Sequence, residues 1–488
     1  MGQCSECSGG TSTYCSPFGD TVLTEFCDPV QGLVCTPGQG ICTGACGLNA
    51  LGKSYIGCDY YPTVTNNELL GGWPSFLADF AVAVANTGTQ TANVTVTQGG
   101  ATITTTTVPA NDLIIIRLPW VDSLRLARTA LVADGAYRLR SDQPVTVYQY
   151  NPLDYQGGGG FTYTNDASLL LPTNTWTGEY LVVARNTWFG YPGIYAITAR
   201  EDNTLVTLTP SATGQVVTAG AGVNADGTGV VTLNAGDVLQ VASTSAGGDP
   251  DASDVTGTRV SANKQVQVIG GHACTDIPYN ITACDHIEEA MAPVETLGRQ
   301  YLVAPPLIDA TTSKANMVRI IASEPNTSLT YDPAQAGAPA TLANAGDYYE
   351  FNQTAATFMI TSDKKLAVAQ YMLGQDAGGG TGDPAFTMAV PVLQYRSNYL
   401  FHAPTNYEAN YVNITAPSGA VVTLDGTPVA GFTAIGATGY SVAKMQLSAG
   451  INGNHTISSP QKIGISVYGY GQYTSYWYPG GLDLAELN

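Results

Sequence analysis

SDQPVTVYQY (141–150), SANKQVQVIGG (261–271), SDKKLAVAQY (362–371) and SPQKIGISVYGY (459–470) are four versions of one phrase, spaced about 100 residues apart. Each version ends in an apolar or alternating run of strand length. A phrase that returns at a fixed period indicates tandem structural repeats. These stretches therefore predict four copies of one β unit.

A second phrase opens each copy. It reads FAVAVAN from Phe80, YLVVARN from Tyr180, YLVAPP from Tyr301 and YLFHAP from Tyr399. We expect these four residues to occupy equivalent strand positions. The joints between the copies are short and apolar and contain proline, which favours packing of the repeats into one body.

Between the two phrases the sequence predicts short antiparallel strands. The stretch IYAITAREDNTLVTLTP, from Ile194, reads as strand, turn and strand, with alternating apolar residues in the second strand. The predicted fold class is all-β, with four antiparallel repeats of about 100 residues as sandwich-like modules and a β-propeller as the alternative. The predicted domains are a disulfide-rich cap and four repeats, over residues 1–60, 61–165, 166–283, 284–382 and 383–488.

The composition narrows the class of partner. The 488 residues contain 18 Lys and Arg against 38 Asp and Glu, and the formal net charge is −20. Such an acidic chain repels phosphate backbones and anionic lipids, so nucleic acid is excluded as a partner. No apolar run approaches the length of about 18 residues that a membrane span needs, so no membrane-spanning helix is predicted.

Cysteines concentrate at the start of the chain. Two of the ten, Cys274 and Cys284, lie further on, and we expect them to bond each other. Apolar residues are sparse in the first segment, so disulfides are expected to hold it together in an oxidising compartment, which predicts a secreted or cell-surface protein. The spacings C-x-x-C and C-x-x-x-C leave zinc as the alternative for the cap, although no histidine lies nearby. The eight cap cysteines are Cys4, Cys7, Cys15, Cys27, Cys35, Cys42, Cys46 and Cys58.

One segment is rich in ionisable residues and lies between the second and third repeats. Its side chains are those of a metal, ligand or acid/base site. We favour an architectural role, because a Cys274–Cys284 bridge would fix the loop where two repeats meet. The residues in question are His272, Asp276, Asp285, His286, Glu288 and Glu289.

Two acidic, glycine-rich loops are candidates for calcium, which prefers several oxygen ligands on a bendable backbone. The first holds Asp249, Asp251 and Asp254, and the second holds Asp376 and Asp383. Neither matches the EF-hand pattern. Ordinary solvated turns are the interpretation that we favour for both loops, and calcium is the cofactor that they suggest otherwise.

Aromatic residues cluster at strand ends. Large aromatic side chains suit recognition of proteins or glycans when they are exposed, and they suit packing between repeats when they are buried. The last repeat ends in the candidate binding residues Tyr473, Tyr476, Trp477 and Tyr478.

Several of these motifs resemble a known family. The pieces EDNTLVTLTP, LNAGDVLQV, VTGTRVSANKQVQVIGGH, CDHIEEAMAPVETLG and VYGYGQYTSYWYPGG resemble the IgGFc-binding protein N-terminal domain family over about residues 60–482. The resemblance implies an extracellular binding or adhesion role and no known enzymatic activity. The cysteine-rich start resembles the leader modules of bacterial members, so the chain is expected to be of the bacterial type and antibody recognition is not carried over.

Three functions are compatible with these observations. The leading hypothesis is a secreted or surface binding protein, without enzymatic activity, that recognises an extracellular protein or glycan. The second is a structural subunit that self-associates into a surface layer or filament. The third is an unrecognised metal-dependent hydrolase that uses the segment between His272 and Glu289.

Overall fold

A computed structural model describes residues 6–15, 22–37, 40–67, 79–154, 156–157, 160–162, 164–245, 253–377, 381–448 and 452–487. Nearly all regular structure in these residues is antiparallel β-sheet. The fold is therefore all-β, as predicted. Among the described residues no helix is long and apolar enough to cross a membrane.

The cap consists of two small sheets. Disulfides join Cys7 to Cys35, Cys27 to Cys42, and Cys46 to Cys58, so the described bridges stay within the cap. Cys4 and the side chain of Cys15 lie outside the described residues. The elements are β1 (Glu6–Ser8), β2 (Thr11–Cys15), β3 (Val22–Phe26), a 3-10 helix (Pro29–Gln31), β4 (Val34–Thr36), β5 (Ile41–Thr43) and α1 (Leu48–Leu51).

The first repeat is organised by one long strand that belongs to two sheets. The strands are β6 (Gly57–Tyr60), β7 (Phe80–Asn86), β8 (Ala92–Gln98), β9 (Ala101–Val108), β10 (Asp112–Leu118), β11 (Ala130–Val132), β12 (Arg138–Tyr150), β13 (Gln156–Gly157), β14 (Gly160–Phe161) and β15 (Ala167–Leu169). The first half of β12 pairs with β6 and β8, and its second half pairs with β7 and β15.

The second repeat has the same plan around a long strand of its own. A 3-10 helix (Thr173–Thr175) leads into β16 (Thr177–Leu181), β17 (Gly193–Ala199), β18 (Thr204–Thr209), β19 (Gly229–Leu233), β20 (Val238–Ala242), β21 (Arg259–Thr275) and β22 (Asp285–Ala290). The first half of β21 pairs with β16 and β18, and its second half pairs with β17 and β22. β11 of the first repeat pairs with β20 and so ties the two repeats together.

The third repeat follows the plan with its long strand divided in two. The elements are a 3-10 helix (Val294–Thr296), β23 (Gln300–Val303), β24 (Asn316–Ala322), β25 (Thr327–Asp332), β26 (Thr341–Leu342), β27 (Tyr348–Thr354), β28 (Phe358–Ser362), β29 (Leu366–Met372) and β30 (Phe386–Met388). β28 pairs with β23 and β25, and β29 pairs with β24 and β30.

The fourth repeat again has an undivided long strand. The elements are a 3-10 helix (Val392–Gln394), β31 (Arg396–His402), β32 (Ala409–Pro417), β33 (Thr423–Leu424), β34 (Thr427–Pro428), β35 (Thr433–Ala434), β36 (Tyr440–Gln446), β37 (Asn454–Gly471) and β38 (Thr474–Pro479). β37 pairs with β31 and β33 in its first half and with β32 and β38 in its second. The four quoted phrases therefore mark equivalent long strands, and the domain bounds stay a prediction.

A buried tyrosine marks the opening strand of every repeat. The Tyr60, Tyr180 and Tyr301 hydroxyls donate to backbone carbonyls of the long strands at 2.6, 2.7 and 2.5 Å, and Tyr399 makes the same bond. Phe80 lies instead on β7, which pairs with the second half of its long strand, as β17, β24 and β32 do with theirs. The expected equivalence of Phe80 with the three tyrosines is wrong. The equivalent residue is Tyr60.

The closing strands of the four repeats meet at the centre of the molecule. β15 contacts β22 and β38, and β30 contacts the same two strands, so the four strands form a closed cycle. Buried apolar residues of the first and fourth repeats share one large hydrophobic core, and those of the second and third share another. The repeats are therefore packed into one body around this centre.

Candidate functional site

The ionisable segment between the second and third repeats is buried. β21 ends and β22 begins within it, and the Cys274–Cys284 disulfide closes the loop between the two strands. Its predicted site residues are all at most 3% exposed, namely His272, Asp276, Asp285, His286, Glu288 and Glu289. The ionisable groups of the segment therefore face the centre of the molecule and not solvent.

Glu288 binds the first repeat from within the second. One of its carboxylate oxygens accepts hydrogen bonds from the Thr65 hydroxyl at 2.6 Å and the Asn151 amide at 3.0 Å. The other accepts from the Gln149 amide at 2.8 Å. His286 Nε2 lies 3.2 Å from the Asn151 amide nitrogen. These contacts hold β22 against the long strand of the neighbouring repeat.

Asp166 lies at the point where all four repeats meet. Its Oδ1 accepts backbone N–H groups of Ala167 at 2.8 Å and Trp477 at 3.2 Å. Its Oδ2 accepts those of Glu288 and Phe386, both at 3.1 Å. The four donors belong to β15, β38, β22 and β30, one closing strand from each repeat. A single carboxylate thus links the whole cycle. The sequence analysis did not single out this residue.

Burial governs the protonation of the central acids. It raises the pKa of Asp166, Asp285, Glu289 and Asp383 well above the usual range, and the nearby Asp383 and Asp166 carboxyl groups add to the effect at Asp285. Burial also raises the pKa of Asp276 to about 6. One oxygen of each of Asp285, Glu289 and Asp383 has no hydrogen-bond partner, which suits a protonated carboxyl group.

His272 is held neutral by its surroundings. Burial lowers its pKa to about 3. Its Nε2 donates to the Asn186 carbonyl at 3.0 Å, and its Nδ1 accepts the backbone N–H of Cys274 at 3.0 Å. Both ring nitrogens are thus occupied by backbone groups. A neutral ring in this position supports the end of β21.

The protonation of Asp285 predicts a pH dependence of stability. A carboxyl group whose pKa is raised by folding contributes stability that is fully present below its unfolded pKa of about 4 and is lost as the pH rises through its folded pKa. The variant Asp285→Asn lacks this titration. We expect wild type to lose stability relative to the variant as the pH rises from 5 to 8, by up to about 1.4 kcal/mol per pH unit. Urea unfolding at each pH measures the difference.

In that comparison the titrations of groups far from Asp285 cancel, because both proteins contain them in the same surroundings. The matched control is Asp122→Asn, at a mostly exposed side chain, which should leave the pH profile of stability unchanged. A constant difference between wild type and Asp285→Asn across this range would show that Asp285 is ionised in the folded protein.

Asp254, a candidate calcium ligand, is already bound in an ion pair. Its carboxylate lies 2.9 Å from the Arg319 guanidinium in the core, and the Arg319 charge helps to hold its pKa below the usual range. Asp249 and Asp251 lie outside the described residues. Asp383 is buried near Lys314 and Asp276. Across the described ranges, no group of three or more His, Cys, Asp or Glu side chains is placed to hold a metal ion.

The aromatic candidates of the last repeat are mostly core residues. Tyr476, Trp477 and Tyr478 are fully buried on β38, and Tyr473 in the preceding turn is partly exposed. The Tyr476 hydroxyl donates to Asn410 Oδ1 at 2.7 Å, and the Tyr478 hydroxyl donates to the His402 carbonyl. These three buried side chains do not form a binding surface, which agrees with the alternative of packing between repeats.

A different aromatic cluster is exposed. It comprises Trp188, Phe189, Tyr191, Tyr279 and Ile281, which we call the aromatic patch. Phe189 is 87% exposed, and Tyr279 and Ile281 are more than a third exposed. The Trp188 ring lies 5.7 Å from the Phe189 ring and stacks on the Tyr191 ring at 6.1 Å. Large aromatic surface is therefore presented to solvent by two neighbouring loops of the second repeat.

Phe189 sits in a strained turn. The backbone N–H groups of Trp188 and Tyr191 bond each other's carbonyls at 3.0 and 2.7 Å, which leaves Phe189 and Gly190 as a two-residue hairpin loop. Both loop residues have positive φ, +47° and +88°. Such a turn favours Asn-Gly, and an aromatic residue with positive φ is unfavourable by about 1 kcal/mol or more. The chain thus displays Phe189 at a cost in stability.

The second loop of the aromatic patch is the one closed by the Cys274–Cys284 disulfide. It holds Tyr279 and Ile281, and Asn280 between them accepts a hydrogen bond from Trp188 Nε1 at 3.1 Å. The segment that attracted attention for its ionisable residues therefore buries them and exposes its tip. In the sequence, the signal for the patch was TWFGYPG, from Thr187, which places three aromatic residues among Gly and Pro.

Comparison with known proteins identifies a family. The family model described as "IgGFc binding protein" matches residues 166–469, more than half of the chain. The chain belongs to the IgGFc-binding protein family. A human relative, "IgGFc-binding protein", is 26% identical over 271 residues, which cover 53% of this chain and 5% of the human protein. The match therefore corresponds to a small part of that relative.

The membership predicted from sequence motifs is thus confirmed. The expectation of a bacterial-type member is not borne out, since the matched relative is human. A solved structure titled "Crystal structure of tetra-tandem repeat in extending region of large adhesion protein" is 13% identical and covers 82% of this chain and 94% of its own. Its TM-score of 0.09 carries no structural argument.

Proposed function

We propose that the chain is an extracellular binding module that recognises a protein through the aromatic patch. The observation that carries the proposal is Phe189, 87% exposed in a hairpin loop with positive φ. Strain of this kind is concentrated at functional sites, because selection for stability alone would remove it. An Asn-Gly loop would satisfy the same backbone without an exposed ring.

The patch has the properties of a protein-binding hot spot. Its aromatic side chains offer large apolar area at a small cost in conformational entropy. Trp188 is held by its Asn280 hydrogen bond and by stacking on Tyr191, so it is ordered before a partner arrives. Pre-ordering lowers the entropic cost of binding. The disulfides and the family membership support an extracellular location.

The test uses Phe189→Asn, which creates the favoured Asn-Gly turn and removes the ring. The first probe is the immobilised Fc fragment of IgG, because the human relative is named for Fc binding. We expect wild type to bind and the variant to bind about 10-fold or more weakly, as for loss of a hot-spot aromatic residue. Surface plasmon resonance gives the affinity.

The same substitution should leave the free energy of unfolding unchanged or raise it by up to about 1 kcal/mol, because the turn strain is relieved.

The matched control for binding is Phe26→Asn, at an exposed phenylalanine of the cap, which should not alter binding. Equal binding by wild type and Phe189→Asn would refute the role of the patch. If wild type does not bind Fc but binds glycans on an array, the partner is a sugar and not a protein. Concentration-dependent association of the chain with itself, lost in Phe189→Asn, would favour a structural subunit.

A further inference from the structure

We propose that a second site, separate from the aromatic patch, binds a small amphiphilic anion: one carboxylate or sulfonate group on an apolar body. The site is a cleft of about 290 Å³ beside the opening strand of the third repeat. Its size is near the lower end of small-molecule sites, which range from about 300 to 1,000 Å³. We call it the basic cleft.

The charge of the basic cleft is opposite to that of the chain. Arg299 and Lys365 line it, and the described residues that form its wall include no carboxylate. In a chain with a net charge of −20, a wall with two cations and no acid is a local exception. Field lines concentrate in clefts lined by one sign of charge, which attracts a counter-ion.

Both cations retain unused hydrogen-bond donors. Among the described residues, neither Arg299 nor Lys365 forms an ion pair within 4.0 Å. The arginines and lysines that do are Arg117, Arg125, Arg138, Arg140, Arg185, Arg259, Arg319, Arg396, Lys264 and Lys462. Lys365 Nζ donates to the Glu295 carbonyl at 2.9 Å, which leaves two of its three N–H donors for a ligand.

Two acidic residues that neighbour the cleft lining in the sequence, Glu295 and Asp363, bond residues outside the cleft. Glu295 Oε2 accepts the Thr177 hydroxyl at 3.1 Å, and the Asp363 carboxylate accepts the backbone N–H of Ser328 at 2.8 Å. These contacts direct both carboxylates to other strands. An anion that enters the basic cleft would therefore meet the two cations without a resident competitor in its wall.

An apolar wall faces the cations. Leu393, on the 3-10 helix Val392–Gln394, is 66% exposed at the cleft, and Pro391 and Leu487 continue the wall. Gly298 packs directly against the Pro391 ring: a Cβ atom on Gly298 would lie 2.4 Å from Pro391 Cβ, so no side chain fits between them. Cationic and apolar surfaces in one small cleft match a ligand that is itself charged at one end and apolar at the other.

A larger cleft between the cap and the repeats, of about 620 Å³, is a weaker candidate. Its Arg138 is bound by Asp59 through two hydrogen bonds of 2.9 Å, and its Arg140 is bound by Asp28 at 2.8 Å. Acids of the protein already occupy these arginines, so an external anion would have to displace them.

The test uses two fluorescent probes that share their rings. 8-Anilinonaphthalene-1-sulfonate has a sulfonate on an apolar body, and N-phenyl-1-naphthylamine is the same body without the charge. We expect wild type to bind the sulfonate about 10-fold more tightly than the neutral probe, and the double variant Arg299→Gln with Lys365→Gln to lose that preference. Fluorescence titration measures both affinities.

The matched control is Arg128→Gln with Lys53→Gln, which removes the same charge at exposed positions elsewhere. It should bind both probes as wild type does. Leu393→Asp should weaken both probes, and Arg299→Gln alone covers the case in which loss of the Lys365 contact disturbs folding. Equal affinity of wild type for the two probes would refute an anion site. Equal sulfonate binding by the two double variants would refute its location. Neither result bears on Phe189.

Discussion

Replacing Asp166 with alanine should lower the free energy of unfolding by at least about 4 kcal/mol. The carboxylate accepts four backbone N–H groups, one from the closing strand of each repeat. Each buried donor left without a partner costs about 1 to 3 kcal/mol. The site is fully buried, so solvent cannot replace the lost acceptor without a rearrangement. Guanidinium chloride unfolding with linear extrapolation measures the loss.

The conservative variant Asp166→Asn tests how many of the four donors need an acceptor oxygen. It keeps one oxygen, which can accept two of the four donors, and turns the other acceptor into a donor. Its loss should therefore fall between that of alanine and that of the exposed control Asp122→Ala. Hydrogen exchange gives a residue-level readout, because the amides of Glu288, Phe386 and Trp477 should lose protection together. An alanine variant as stable as the exposed control would exclude Asp166 as the link between the repeats.

Arg319→Met should lower the free energy of unfolding by about 3 to 5 kcal/mol, as expected when one partner of a buried ion pair is removed. The Arg319 guanidinium lies 2.9 Å from Asp254 and 2.6 Å from Glu350, and its side chain is 1% exposed. Glu350 also pairs with Arg185. The substitution leaves the Asp254 carboxylate buried without its cation. Chemical unfolding at pH 7 measures the effect.

The matched control is Arg259→Met, which breaks an exposed pair with Glu179 at 2.7 Å and should cost at most about 1 kcal/mol. A second variant, Arg319→Met with Asp254→Asn, removes the uncompensated charge and should recover part of the loss. If the single variant costs no more than the control, the network that joins the second and third repeats contributes little to stability.

The sequence was sufficient for the repeats, because each long strand carries its own recognisable phrase from SDQPVTVYQY onward. It was not sufficient to align the first opening strand. FAVAVAN and YLVVARN are both buried and apolar, but the strands that contain them pair with different halves of a long strand. The true counterpart, Tyr60, is identified by a hydroxyl bond to a carbonyl 85 residues away, which no local pattern encodes.

The sequence predicted some features of the candidate site and missed others. The Cys274–Cys284 pairing follows from a short spacing in an otherwise cysteine-free region, and the structure contains it. The importance of Asp166 could not be read from its neighbours, because three of its four donors come from other repeats. Aromatic density at 473–478 and at 187–191 looks alike in the sequence. Position decides the outcome, since the first cluster lies along a central strand and the second lies on a hairpin loop.

The contacts of Asp166 constrain when the repeats can finish folding during synthesis. Synthesis begins at the N-terminus, so early repeats emerge long before late ones. Asp166 accepts one of its hydrogen bonds from the backbone N–H of Trp477, which lies 311 residues further along the chain. The earlier repeats cannot complete their shared centre until the last strand has left the ribosome. A chain that stops before Trp477 would lack this contact.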